Sequence, residues 1–292
     1  MDQALRPRRS PLFMPGANAR ALDKAKGLAC DAIIIDLEDA VAPDVKEEAR
    51  RRAAETVASH PYGTREVVIR VNGMDTPWYH DDLTAAVAAG PDAIAVPKVG
   101  SADQVRTIAA DMEAAGAPAG MGLWAMIETP RAVLDCLSIA EASPRLAVLV
   151  MGTNDLTKEL QAQHVPGRAP VTTALQMCLL AARAAGKVIL DGVYNDVRDA
   201  EGFRAQAEEA YLMGFDGKTL IHPSQVGPAN EVFAPSPAEV EDARGVLDAW
   251  ESGDGSGVVT YHGRMIENLH VDTARRILAL ADAISSPETP RS

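Results

Sequence analysis

Eight times along the chain a short, β-branched apolar run is followed by a longer stretch with helical spacing, and this alternation limits the possible folds more than any other feature. The strand candidates are Pro11–Met14, Ala32–Leu37, Glu66–Val71, Ala93–Lys98, Gly122–Ile127, Leu146–Met151, Val188–Val193 and Gly217–Ile221. Helix-like segments such as Val45–Ser59 and Ser101–Ala115 lie between them, with Asp44 and Ser101 placed to act as N-caps. Runs such as Ala32-Ile33-Ile34-Ile35 have no polar face, which suits parallel strands covered on both sides. About eight such units predict a closed (β/α)8 TIM barrel, with an open doubly wound sheet as the alternative. The first strand is not followed by GxGxxG, which weakens the dinucleotide-binding form of that alternative.

The barrel pattern ends near residue 233, dividing the chain into residues 1–233 and a C-terminal extension, 234–292. The extension reads as a helix over Ser236–Glu251, a glycine-rich stretch from Gly253 to Gly257, a short strand Val258–Tyr261, a turn at Gly263 and a helix from Leu269 to Ile284. It either packs on its own barrel or serves as a helical lid over an active site, its own or a neighbour's.

Composition narrows the function. Hydrophobic residues make up 47% and charged residues 24%, enough for a large core. A net charge of −13 argues against a nucleic-acid partner. No apolar run is long enough for a membrane span, and no apolar stretch follows the N-terminal charges as a secretory leader requires. Cys30, Cys136 and Cys178 are far apart and read as reduced thiols of a cytoplasmic protein. An anionic small substrate fits if a metal or local cations receive it.

Polar groups gather where barrel active sites form, at the C-terminal ends of the strands. Strand two leads into Asp36, Glu38 and Asp39, strand three into Arg70 and Asn72, strand four into Pro97 and Lys98. Strand five leads into Glu128, strand six into Asn154 and Asp155, strand seven into Asp191 and Tyr194, strand eight into His222. Glu128 and Asp155, from neighbouring strands, can converge on one cation. Two carboxylates without a His or Cys pattern suit Mg2+, or Mn2+, better than Zn2+; singly, each would read as a loop acid or a helix cap. Arg70 can pair structurally with Glu38 or Asp39, and can equally bind a substrate carboxylate or a developing enolate oxygen. Lys98 raises a Schiff-base alternative that a metal site makes redundant. His222 reads as a ligand contact or a structural residue, and GxSxG is absent.

Read in order, Ser10–Gly16 (SPLFMPG), Asp36–Val41 (DLEDAV), Arg70–Gly73 (RVNG), Pro97–Val99, Ile127–Thr129 (IET), Gly152–Leu156 (GTNDL), Asp191–Val193 (DGV), Phe215–Gln225 and Gly263–His270 (GRMIENLH) resemble the citrate lyase β-subunit family of the aldolase/citrate-lyase barrels. The resemblance implies a Mg2+-dependent enzyme that makes or breaks a carbon–carbon bond in a 3-hydroxyacyl-CoA thioester of malyl or citramalyl type. An enolate forms, and the products are an acyl-CoA and a 2-oxo acid. The alternatives are (3S)-malyl-CoA thioesterase activity on the same scaffold and a non-catalytic barrel that binds CoA esters.

By matching position, Glu128 and Asp155 resemble the family's metal ligands, Arg70 its substrate-polarising arginine, and Glu38 and Asp39 the acidic pair beside it. Arg20, Lys24 and Lys26 are candidate contacts for CoA phosphates or a solvated helix face, and Pro97 and Asn154 are candidate substrate contacts. The family forms trimer-based oligomers, so a homotrimer or hexamer is expected, with a lid exchanged between subunits. Glu267 matches the acidic residue that the lid supplies to the neighbour, as proton donor or acceptor at the enolate carbon or as promoter of water attack. Many malyl-CoA lyases carry aspartate there. The glutamate places this chain nearer the citrate-lyase-like and malyl-CoA thioesterase branches.

Overall fold

The computed structural model describes residues 6–253 and 257–285. Contacts divide the chain into two compact units, one spanning Arg8–Phe233 and the other built on the residues from Ala234 onward.

The first unit is a parallel barrel. Its strands are β1 (Pro11–Pro15), β2 (Ala32–Asp36), β3 (Glu66–Arg70), β4 (Ala93–Val96), β5 (Gly122–Ile127), β6 (Leu146–Met151), β7 (Val188–Asp191) and β8 (Gly217–Lys218). They pair in sequence order, each parallel to the next. Leu220, just past β8, closes the ring: Phe13 N–H donates to its carbonyl and its N–H donates to that of Pro11, both at 2.8 Å.

Around the strands lie α1 (Ala19–Ala25), α2 (Lys46–Ala58), α3 (Tyr79–Ala89), α4 (Ala102–Ala114), α5 (Pro130–Leu134), α6 (Cys136–Glu141), α7 (Thr153–Glu159), α8 (Ala169–Ala184), α9 (Ala200–Met213) and α10 (Val226–Val232). Among the described residues no helix is long and apolar enough to cross a membrane.

The period of two in a strand sorts side chains into two cores. Ala32, Ile34, Val68, Ala95, Trp124, Met126, Val148, Val150 and Leu190 fill the barrel interior. The alternate residues, including Ile33, Ile35, Ile69, Ile94, Leu123 and Leu149, pack outward in the larger core that includes helix residues. The inward row is capped by ions at both ends. At the N-terminal end Glu66 takes the Arg8 guanidinium through two bonds, 2.6 and 2.9 Å. At the other end the same parity carries Ile34 on to Asp36, Val68 to Arg70 and Met126 to Glu128, which sets these charges over the barrel axis.

Several boundaries differ from the sequence expectation. Strands two, three, four, seven and eight end one to three residues early, where the paired ladder gives way to isolated bonds. Single bonds still link the loops, such as Leu37 N–H to Arg70 O at 2.9 Å and Val71 N–H to Ala95 O at 3.1 Å. Ser101 caps α4 as expected, accepting from Gln104 N–H at 3.3 Å. Asp44 does not cap α2. The chain enters that helix through a 3-10 turn, Pro43–Val45, and no side chain caps its first turn.

In the second unit α11 (Pro237–Glu251) starts from a capping box, in which Ser236 accepts from Glu239 N–H and the Glu239 carboxylate from Ser236 N–H. A hairpin follows, β9 (Val259–Tyr261) and β10 (Arg264–Ile266), then α12 (Asn268–Ser285). The hairpin turn has positive φ at His262 (48°) and Gly263 (75°), the geometry that matches the strand twist. The sequence pattern anticipated the turn but not β10, whose central Met265 is exposed. Ala243, Val246, Ile266, Val271 and Ala274 form this unit's own small core. Of the expected glycine-rich stretch, residues 254–256 lie outside the described residues.

Candidate active site

The mouth is organised by Arg70. Asp36 grips its guanidinium through two bonds, Nε to Oδ1 and Nη2 to Oδ2, both 2.7 Å. Nη1 lies 2.7 Å from Glu38 Oε2 and 3.9 Å from Asp39 Oδ2. The Phe13 ring covers the guanidinium, 4.7 Å from its carbon. Asp36, Glu38 and Arg70 are buried, so these bonds operate where water screens them little. Asp36 also accepts from Glu38 N–H (2.9 Å) and Ala40 N–H (3.0 Å), so one carboxylate fixes both the arginine and the loop beside it.

Glu128 stands at the end of β5 and is 3% exposed. Its Oε1 accepts the Lys98 N–H at 2.6 Å, Lys98 adopting a left-handed backbone with φ of 54°. No cationic side chain pairs with Glu128 among the described residues. Burial pushes its carboxyl up to about 7; the Glu38 and Asp155 charges act in the same direction, against the Lys98 N–H and Arg70. Burial likewise raises Glu38, with Arg70 opposing. Asp155 sits in the first turn of α7, half-buried, and its carboxylate makes no hydrogen bond or ion pair among the described residues. Gly152 between them is required by close approach: a Cβ there would lie 2.3 Å from Glu128 Oε2 and 2.4 Å from Glu128 Cβ.

A buried carboxylate without a cation, beside a second unengaged carboxylate, is a donor set that fits a hard divalent ion. Among the described residues no three His, Cys, Asp or Glu side chains are disposed around one metal point. Two oxygen donors with the remaining positions left to water or substrate is the Mg2+ pattern rather than a closed Zn2+ site. A cavity of about 310 Å3 opens beside Asp155, lined by Phe13, Asp39, Arg70, Asn154 and Thr219 among others; Met126 and Gly152 form part of its wall, and Glu128 does not itself line it.

Arg70, Glu38, Asp39, Glu128 and Asp155 are thus brought together. Asn154 lies at the rim, its amide exchanging bonds of 3.1 and 2.8 Å with that of Asn195. Beyond that pair is a second cavity of about 530 Å3, lined by residues including His164, Arg168 and Tyr194. Pro97 is buried at the end of β4. Arg20, Lys24 and Lys26 are exposed on and just after α1, Lys26 paired with Asp23 at 2.9 Å, and line neither cavity. Glu267 belongs to the second unit, half-buried just before α12, its N–H donating to His270 Nδ1 at 3.0 Å.

Lys98 lacks the lowered pKa that an imine-forming amine needs. Burial acts to lower its pKa, but Glu38, Asp155 and Glu128 outweigh that and raise it, which keeps the ammonium charged. His222 caps the 3-10 turn Pro223–Gln225, with Nδ1 2.7 Å from Ser224 Oγ, and does not line the 310 Å3 cavity. Asp191 does not line the mouth either. It is fully buried between Arg168 and Lys218, each 2.7 Å away. Sequence reasoning missed those two partners and did not select Asp36 as Arg70's principal one. The strand parity carries the Asp36 signal, since it falls two residues past Ile34 on the inward row.

Fold and site together describe a (β/α)8 barrel of the enzyme type, its mouth gathering acidic side chains at the strand C-termini. The family model HpcH/HpaI aldolase/citrate lyase matches residues 9–223. A (3S)-malyl-CoA thioesterase of Cereibacter sphaeroides (strain KD131 / KCTC 12085) is 51% identical over 288 residues, covering 98% of this chain and 99% of the relative. Citrate lyase subunit beta of Leuconostoc mesenteroides subsp. cremoris is 36% identical, covering 94% of each. Among solved structures, protein CitE from Mycobacterium tuberculosis in complex with magnesium, acetoacetate and coenzyme A superposes with a TM-score of 0.76 at 30% identity, covering 93% of this chain and 97% of that one. The chain belongs to the HpcH/HpaI aldolase/citrate lyase family and is a citrate-lyase-β-like enzyme.

Proposed function

We propose that this enzyme hydrolyses the thioester of a malyl-type CoA substrate, most specifically (3S)-malyl-CoA, with Mg2+ (or Mn2+) as its cofactor. The carrying observation is the 51% identity to a (3S)-malyl-CoA thioesterase over nearly the whole of both chains, against 36% to a citrate lyase β subunit. That difference reverses the weight given to the two activities from sequence, where carbon–carbon cleavage stood first.

Glu128 and Asp155 would hold the cation; the magnesium in the similar CitE complex supports the choice of ion. The bound ion supplies Lewis-acid polarisation and a fixed positive charge for substrate oxygens. Arg70, held rigid by Asp36 and Glu38, presents its charge to the thioester oxygen as negative charge develops there, with Asp39 at the rim beside it. Glu267, from the lid of a neighbouring subunit in a homotrimer or hexamer, takes the proton of the attacking water. The water oxygen adds to the thioester carbon, placing negative charge on the carbonyl oxygen; the C–S bond then breaks as the carbonyl re-forms, and the leaving sulfur of CoA receives the proton taken by Glu267. Arg20, Lys24 and Lys26 receive CoA phosphates, while Pro97 and Asn154 border the acyl group.

Carbon–carbon cleavage is the second reading, favoured by the citrate lyase relatives and by Arg70, which would equally stabilise an enolate oxygen. Incubation with malyl-CoA and Mg2+ separates the two. Free thiol with malate supports hydrolysis, whereas acetyl-CoA with glyoxylate supports cleavage and refutes the thioesterase reading.

A further inference from the structure

The first residue of α2 breaks two local rules. Lys46 puts a cation at a helix N-terminus, where the peptide dipoles disfavour positive charge, and it is only 6% exposed. Burial lowers its pKa, opposed by the charges of Asp36, Glu38 and Asp82. Such a residue is costly unless its ammonium is fully used, and here it is. Its three hydrogens go to Leu37 O (2.8 Å), Glu38 O (2.8 Å) and Asn72 Oδ1 (2.7 Å). The Trp78 ring lies 5.2 Å from Nζ.

The acceptors are themselves fixed. Asn72 Nδ2 donates to Leu37 O at 2.9 Å and to Asp82 Oδ2 at 2.5 Å, and Asn72 N–H also reaches Asp82 Oδ2 at 3.1 Å. Asp82, fully buried, takes Arg50 Nε at 2.6 Å. This relay ties the loop after β2 to the loop after β3 and to α3. Lys46, Asn72 and Asp82 do not line the 310 Å3 cavity, so they can affect it only through what they hold.

We propose that Lys46 is a positioning residue that locks the Leu37–Glu38 backbone and thereby sets the Glu38 carboxylate against Arg70. This rests on the reading of Arg70 as the group that meets the substrate's developing negative charge. Asp36 restrains the loop through the Glu38 and Ala40 N–H groups, and Lys46 restrains it through the carbonyls of residues 37 and 38. Without the ammonium, Glu38 O keeps, among the described residues, only the Val41 N–H at 3.0 Å, while Arg70 stays on Asp36. The loss therefore falls on the orientation of Glu38 rather than on the metal ligands.

The test compares wild type with Lys46→Met in two measurements, with Lys46→Gln replacing it in both if the methionine variant does not fold. In steady-state kinetics on malyl-CoA, kcat should fall about 10–100-fold, the usual effect of removing a group that orients a reacting residue. KM and Mg2+ affinity should stay within threefold. In a Glu38→Gln background the same substitution should cost less than twofold further, because its effect passes through Glu38. In hydrogen exchange, the amides of residues 37–41 should exchange at least tenfold faster in the variant. A kcat within twofold of wild type, an additive loss in the double variant, or unchanged exchange overturns the inference. A wild-type enzyme inert on malyl-type thioesters would instead refute the functional reading and leave the exchange measurement to decide on Lys46.

Discussion

Replacing Gly152 by alanine puts a methyl group into the side chain of Glu128. The added carbon would stand 2.3 Å from Glu128 Oε2 and 2.4 Å from its Cβ. Carbon atoms in contact prefer about 3.5–4.0 Å, so the two residues must part by more than 1 Å. Rotation of the carboxylate alone does not relieve this, because the Cβ contact lies at the root of the side chain; the end of β5 or of β6 has to shift. Displacement of about 1 Å at a reacting centre costs on the order of 10²-fold in rate, or about 2.7 kcal/mol of transition-state stabilisation. The assay is kcat/KM at saturating Mg2+, with Mn2+ binding followed by electron paramagnetic resonance. Gly120→Ala is the control, since a Cβ there meets nothing within 4 Å. The expected result is a loss of about 10²-fold or more with weakened Mn2+ binding in Gly152→Ala, and wild-type behaviour in the control. A Gly152→Ala enzyme with unchanged rate and metal affinity would refute the placement of Glu128 at the metal.

Two further outcomes follow from the buried charges and thiols. Asp36→Ala strips Arg70 of its bidentate partner in a buried setting and should destabilise the fold by about 3 kcal/mol, the low end for a broken buried pair because Glu38 retains Nη1. Urea denaturation measures it, and a loss under 1 kcal/mol would contradict the assignment. Cys30, Cys136 and Cys178 are all buried, and burial pushes Cys30 up to about 11, so at pH 8 only about one Cys30 in a thousand is thiolate. Cys178 is raised as well, chiefly by its interaction with Cys136. A thiol-reactive disulfide reagent should therefore label none of the three before denaturant is added; rapid labelling of the native protein would show a more open structure.

The barrel was legible because its signal is local and repeated. Each apolar run is short, each following helix long, and parity within β2, β3 and β5 points Asp36, Arg70 and Glu128 to the same side. What stayed hidden depends on contacts distant in sequence. Nothing near Lys46 announces that its amine reaches Asn72, 26 residues away. Asp191 looked like one more strand-end acid because Arg168 and Lys218 neutralise it from elements 23 and 27 residues distant. Asp44 has the composition of a cap, yet Pro43 leads the chain into a 3-10 turn that takes it out of the capping position. β10 has no apolar alternation of its own, and only its pairing with β9 makes it a strand.

The most direct test of the whole reading is Mg2+-dependent thiol release from malyl-CoA by wild type, Glu128→Ala and Asp155→Ala, each with and without EDTA. The expected result is stoichiometric free thiol and malate from wild type, abolished by EDTA, restored by Mg2+, and lost from both variants. Full thiol release by either variant, or by wild type in EDTA, would contradict a metal-dependent thioesterase built on Glu128 and Asp155.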